Sequence, residues 1–213
     1  MNSAIKYTAL KHPWFYHYYV DTEKTNIYTP KKLHSFLESM FNACPHQKFL
    51  EGPRSSNLKV RSTADLTQIP NNDVCQFAID GNTWGHQGTA HGNVQLHMLQ
   101  NDPKTIGVEI PLWLDTDEYN ELGLQFDKEG PLTGHIDLVR VDDDKIWIWD
   151  YKPKAAKEKY ADTQVLMYAI MLSKRIDIPL DNFMCGYFDE KTSYVFKPEY
   201  EQLAPLIEKN KLN

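Results

Sequence analysis

Apolar side chains recur along the chain in two rhythms. From Pro30 to Phe41 (PKKLHSFLESMF), Leu33, Phe36, Leu37 and Met40 fall at helical spacing and predict a helix with one buried stripe. The Gly-, Pro- and Ser-rich run LEGPRSSNLKVRST predicts a loop, and it carries Arg54, Lys59 and Arg61. From Thr83, the run WGHQGTAHGNVQLHMLQ predicts a helix that ends before Asn101-Asp102-Pro103. Strands are then expected at Ile106–Leu114, Gly134–Val141 and Lys145–Lys152, the last two joined by a tight turn at Asp142-Asp143-Asp144. A helix is expected over Lys159–Arg175. Short strands at Met184–Asp189 and Tyr194–Lys197 and a last helix over Glu199–Lys209 complete the chain. The order α-β-β-β-α-β-β-α predicts an α/β (α+β) fold, a mixed central sheet flanked by helices. Residues 1–80 read as an N-terminal helical and loop extension, and 81–213 as the core.

One strand pattern carries chemistry. Side chains alternate faces along a strand. In KIWIWDYK, Ile146, Ile148, Asp150 and Lys152 therefore share one face, with Trp147, Trp149 and Tyr151 on the other. An apolar face that ends in a carboxylate and an ammonium is a candidate active centre. The preceding strand carries Asp137, and the hairpin sets the two strands side by side. Two carboxylates held close disfavour joint ionisation. A divalent cation such as Mg²⁺, which prefers oxygen ligands, resolves that conflict. The D-x-K spacing by itself is weak, since it also occurs at Asp102/Lys104, Asp143/Lys145 and Asp189/Lys191. Gln164 and Tyr168, four apart on the following helix, share a helix face. Glu109 is a candidate further carboxylate, with a solvated edge residue as the alternative. Lys154 and Lys157 are candidates for contact with phosphates, with a solvated loop as the alternative. The aromatic face of the strand is read as core. His86 and His97 are given no role, and His135 is read as structural.

Composition narrows the class. The 213 residues are enough for one good core, and 41% of them are hydrophobic, which argues against a disordered chain. No run approaches a membrane span, and the N-terminus lacks the apolar stretch of a secretory signal. A soluble intracellular protein is expected. Cys44, Cys75 and Cys185 are scattered without a C-x-x-C pair, so buried free thiols are expected and a zinc or iron–sulfur centre is not. A net charge of −6 counts against an avid, non-specific DNA coat, though not against a protein that gathers carboxylates around metal ions. No Gly-rich phosphate loop is present, which disfavours an NTPase.

The runs Gly134-His135-Ile136-Asp137, Trp149-Asp150-Tyr151-Lys152-Pro153 and Gln164-x-x-x-Tyr168 resemble the RecB-like exonuclease branch of the PD-(D/E)XK nucleases. Upstream, Gly88-Thr89-Ala90-His91 is similar to that branch's G-x-x-H motif. The resemblance spans about residues 83–197. It implies a restriction-endonuclease-like core and hydrolysis of DNA phosphodiesters with Mg²⁺ or Mn²⁺. By position it implies metal ligation by His91, Asp137, Asp150 and the backbone carbonyl of Tyr151, with Glu109 as a candidate addition. Lys152 would orient the attacking water, and Gln164 and Tyr168 would position substrate or its neighbours. DNA, single-stranded or with free ends, is the implied partner, and repair or recombination the implied setting. The 1–80 extension would then pack on the core, with Arg54, Lys59, Arg61, Lys154 and Lys157 meeting the DNA. Two departures stand out. Pro153 replaces the common Thr after the Lys, and the cluster-binding cysteines of some members are absent, so no iron–sulfur cluster is implied. The alternative is a catalytically silent nucleic-acid- or protein-binding module on the same fold.

Overall fold

The computed structural model describes residues 4–85 and 88–211. Eight strands form one sheet in the order β1-β2-β4-β5-β6-β7-β8-β3. The strands are β1 (Ile5–His12), β2 (Trp14–Asp21), β3 (Thr67–Pro70), β4 (Thr105–Leu114), β5 (Leu132–Asp142), β6 (Lys145–Tyr151), β7 (Phe183–Phe188) and β8 (Thr192–Phe196). All neighbours pair antiparallel except β6 and β7, which are parallel. The helices are α1 (Thr22–Tyr28), α2 (Lys31–Ala43), α3 (Asp73–Trp84), α4 (Ala90–Asn101), α5 (Thr116–Glu121), α6 (Ala161–Ile176) and α7 (Ala204–Lys211). This is the mixed, helix-flanked sheet of a restriction-endonuclease-like fold. Among the described residues, no helix is long and apolar enough to cross a membrane.

Two apolar layers hold the sheet. On one side, the predicted stripe Leu33, Phe36, Leu37 and Met40 of α2 packs with α6, Ile110, Ile136 and Ile148. On the other, α3 and α4 cover Val108, Leu138, Trp149, Tyr151 and Phe188. Trp149 and Tyr151 are almost fully buried, and Trp147 stacks on Trp149 at 5.4 Å, so this aromatic face is core as expected. The three cysteines are free and buried, also as expected.

Two local features differ from the sequence reading. The single helix expected from Thr83 is broken. Helix α3 ends at Trp84 because Gly85 takes a left-handed φ of 66°, and α4 starts afresh after the N-cap Thr89, whose hydroxyl accepts from Gly92 N–H at 3.1 Å. His86 and Gln87 lie outside the described residues. Further upstream, the N-terminal segment adds strands as well as helices: β2 pairs with β4, and β3 pairs with β8. The aromatic run WFYHYYV has no apolar–polar alternation to announce the β1–β2 hairpin.

The hairpin that matters most turns through Asp143 and Asp144, both with positive φ (48° and 59°). That geometry matches the right-handed twist of flanking strands. It sets the register Asp142↔Lys145 through Leu138↔Trp149 and brings Asp137 and Asp150 to the next, open rung.

Candidate active site

Three acidic residues form a row across three strands. Val108 pairs with Leu138 and Ile110 with Ile136, so Glu109 lies across from Asp137. Asp137 in turn lies across from Asp150, where the β5–β6 ladder opens. Residues two apart on a regular strand share a face. Here Val108 and Leu138 join the α3–α4 layer, whereas Ile110 and Ile136 join the α6 layer. Both strands therefore switch faces at Glu109 and Asp137. Glu109 makes its switch with a φ of 54°, a conformation that costs a non-glycine residue on the order of 1–3 kcal/mol.

The row is enclosed from both sides. From the first turn of α4, His91 Nε2 reaches to 3.0 Å from Asp137 Oδ2 and 3.9 Å from Glu109 Oε1. One turn on, Gln95 Nε2 donates to Glu109 Oε1 at 2.7 Å. Asp137 Oδ2 also accepts from the backbone N–H of Tyr151 at 3.0 Å. From the α6 side, Lys152 Nζ lies 2.7 Å from Asp150 Oδ2 and donates to Gln164 Oε1 at 3.1 Å. Gln164 Nε2 donates to the Tyr168 hydroxyl at 2.9 Å. The Tyr168 ring packs directly on Gly134, where an added Cβ would come within 2.4 Å of it. That contact explains why this position of the motif suits only glycine.

The electrostatics of the row are frustrated. Burial, then the charge of Asp137, pushes Asp150 up to about 7. The same two causes push Glu109 up to about 7. Asp137 is held below the usual carboxylate range against the opposing effect of burial, chiefly by His91. The charge of Asp137 in turn raises His91 to about 9. Burial opposes a charged Lys152, yet Asp150 and Asp137 hold its pKa above the ordinary value. Neither buried oxygen of Asp150 receives an aligned hydrogen bond, and Lys152 pairs with it by proximity alone. Such oxygens are costly unless something else satisfies them.

These residues fit a divalent cation. His91, Glu109 and Asp137 each offer a ligand atom within 4.8 Å of the others. Asp150, next in the row, has two oxygens without an aligned hydrogen-bond donor, one of them 2.7 Å from the Lys152 ammonium. Several carboxylates with one imidazole form an oxygen-rich donor set suited to Mg²⁺ or Mn²⁺.

Residues 90–207 match the sequence model of the PD-(D/E)XK nuclease superfamily. The chain belongs to that superfamily. PD-(D/E)XK proteins are in general nucleases that use divalent metals, and the matched segment holds every member of the row as well as Lys152, Gln164 and Tyr168. No curated protein matches the chain.

The basic residues fall into separate settings. Arg54 is occupied structurally: it donates to the Tyr16 hydroxyl at 2.7 Å and to the His12 carbonyl at 3.3 Å. Lys59 and Arg61 are exposed on a loop clamped to the start of α6, where Thr163 donates to Val60 O and Ser62 donates to Asp162. Lys154 and Lys157 are exposed just beyond β6. His135 is structural, as read: it stacks on Tyr16 at 3.6 Å and lies 2.9 Å from His12. His12, Cys44 and His46 also form a close group, packed on Phe49 and facing the positive charge of Arg54. A cation there would be repelled by that guanidinium, so the group reads as a packed imidazole chain. Sequence reasoning missed Gln95, whose only signal was its place one helical turn after His91. It left Glu109 as one of two alternatives because its left-handed backbone leaves no mark in the pattern.

Proposed function

We propose that this chain is a metal-dependent deoxyribonuclease that hydrolyses DNA phosphodiester bonds at or near strand ends, in the manner of the RecB-like branch. One observation carries the reading: buried Asp150, with no aligned donor to either oxygen, stands in a row with Asp137 and Glu109 beside Lys152. In this reading Asp137, Asp150, Glu109, His91 and the Tyr151 carbonyl hold Mg²⁺ or Mn²⁺. When bound, the cation supplies positive charge to the scissile phosphate and lowers the pKa of water. Lys152 orients the attacking water and places charge where the transition state gains it. Gln164 fixes the ammonium group of Lys152, and Tyr168 fixes Gln164. The N-terminal extension, residues 1–80, packs against the core beside this centre, so that Lys59 and Arg61 join Lys154 and Lys157 in meeting DNA phosphates. Arg54 contributes by holding Tyr16. Together these cations offset the net charge of −6 locally. The test is incubation with end-labelled single- and double-stranded DNA. Cleavage in Mg²⁺ or Mn²⁺ that stops with chelator supports the reading, and intact DNA under all conditions overturns it.

A further inference from the structure

A cavity of about 470 Å³ adjoins the acidic row and shares His91 and Glu109 with it. Its far wall belongs to the β1–β2 hairpin, through Phe15, His17 and Tyr19. These three alternate along β2 and so share one face. Phe15 is 66% exposed, an unusual degree for a large apolar ring. The neighbouring rings are already arranged as a platform. Tyr7 stacks with His17 at 5.8 Å and 15°, holds its Nδ1 with a 2.9 Å hydrogen bond, and leans on Tyr19 at 4.6 Å. Lys11, the register partner of Phe15, is exposed beside it. Flat rings next to a cation, continuous with a centre that handles phosphodiesters, are the ingredients of a single-strand binding surface.

We propose that the Phe15–His17 face of the hairpin stacks a base of a single DNA strand whose backbone passes the Glu109–Asp137–Asp150 row. The proposal rests on the nuclease reading and adds what that reading lacks, a reason to prefer an unpaired strand. A paired base buries its faces in the duplex, so only an unpaired one can stack on a protein ring. The rings are held before the strand arrives, so little conformational freedom is lost on binding. The Trp147–Trp149 pair is excluded from this role because Trp149 is buried and Trp147 is half-buried and stacked on it in the α3–α4 layer.

The test is a binding cycle with Ca²⁺ in place of Mg²⁺ to suppress cleavage. Wild type, Phe15→Ala, His17→Ala and Phe15→Trp are titrated with a single-stranded oligonucleotide and with versions carrying one abasic site, walked along the strand. The expected result is a roughly tenfold weaker Kd for Phe15→Ala on the intact strand, the scale of one base–aromatic stack. An abasic site at one position should cost wild type the same factor, the two changes together should cost no more than either, and Phe15→Trp should restore binding. The exposure of Phe15 and His17 leaves folding unaffected by these changes. Unchanged affinity in both alanine variants, or losses that multiply at every abasic position, would overturn the stacking site while cleavage in Mg²⁺ persists. If the wild type neither binds nor cuts DNA, the nuclease reading falls and this proposal falls with it.

Discussion

Glu109 lies across the β4–β5 ladder from Asp137, at the rung where both strands change faces. Its φ of 54° is strain that packing alone does not explain, since a glycine would relieve it. The carboxylate is needed there if it joins Asp137 and His91 around a cation. Glu109→Gln preserves shape and the contact with Gln95 but removes the charge. The expected outcome is a fall in kcat of roughly 100-fold, the scale of losing one charge-stabilising group, with no drop in Tm. Steady-state cleavage and a thermal melt check it, and a wild-type rate would remove Glu109 from the centre.

A single methyl group at Gly134 would reach the chain of contacts that runs from Tyr168 through Gln164 to Lys152. An added Cβ would sit 2.4 Å from the Tyr168 ring and 2.5 Å from Ser55 Oγ. Gly134→Ala therefore has to displace Tyr168, and with it the chain through Gln164 to Lys152. Overpacking of this kind costs typically about 1–3 kcal/mol. We expect a lower Tm together with a kcat loss that exceeds the loss for Tyr168→Phe, which keeps the ring in place. Equal kcat in Gly134→Ala and wild type would show that the chain does not position Lys152.

The motif residues were legible because they lie on or directly beside secondary-structure elements. Asp150 and Lys152 alternate along one strand, the hairpin places Asp137 beside them, and Gln164 and Tyr168 share a helix face. Other features depend on backbone irregularities that propensity does not encode. Gly85 breaks the helix read from Thr83, and the face switch hides the direction of Glu109. The β1–β2 hairpin was invisible because Tyr18 and Val20 face the core while Phe15 and His17 face a cleft, so apolar residues occupy both sides. Arg54 belonged by composition with Lys59 and Arg61. The structure separates it from them through its bonds to Tyr16 and His12.

The pH dependence of stability has a definite sign. Glu109 and Asp150 are raised to about 7 in the folded protein, by burial and then by Asp137, whereas an ordinary carboxyl titrates at about 4. A raised folded-state value means the folded chain keeps protons that the unfolded chain has released. In the absence of cation, this contribution is full below about pH 4 and is lost as pH rises toward about 7. A cation binds the ionised carboxylates, so the rise in Tm on adding Mn²⁺ should grow from about pH 5 to about pH 8. Asp150→Asn should lose most of that rise. Melts across pH, with Mn²⁺ and with chelator, provide the check, and an equal rise in variant and wild type would place the cation elsewhere.

The exposed cations should govern the response to salt. Lys59 and Arg61 stand on the loop clamped to the start of α6, and Arg54 is already engaged. Replacing Lys59 and Arg61 by Ala should flatten the salt slope of single-strand binding by roughly 1.4, at about 0.7 per phosphate contact. Cation affinity should stay unchanged. Binding measured across salt concentrations in Ca²⁺ gives the slope, and an unaltered value would put that loop away from the strand.

The most direct measurement is cleavage of end-labelled DNA by wild type, Asp137→Ala, Asp150→Asn and Lys152→Ala side by side in Mg²⁺ or Mn²⁺, with melts run on the same preparations. The account predicts that the wild type cuts, that all three folded variants fail to cut, and that chelator silences the wild type. Wild-type rates in two of the three variants would contradict an active centre built on this row.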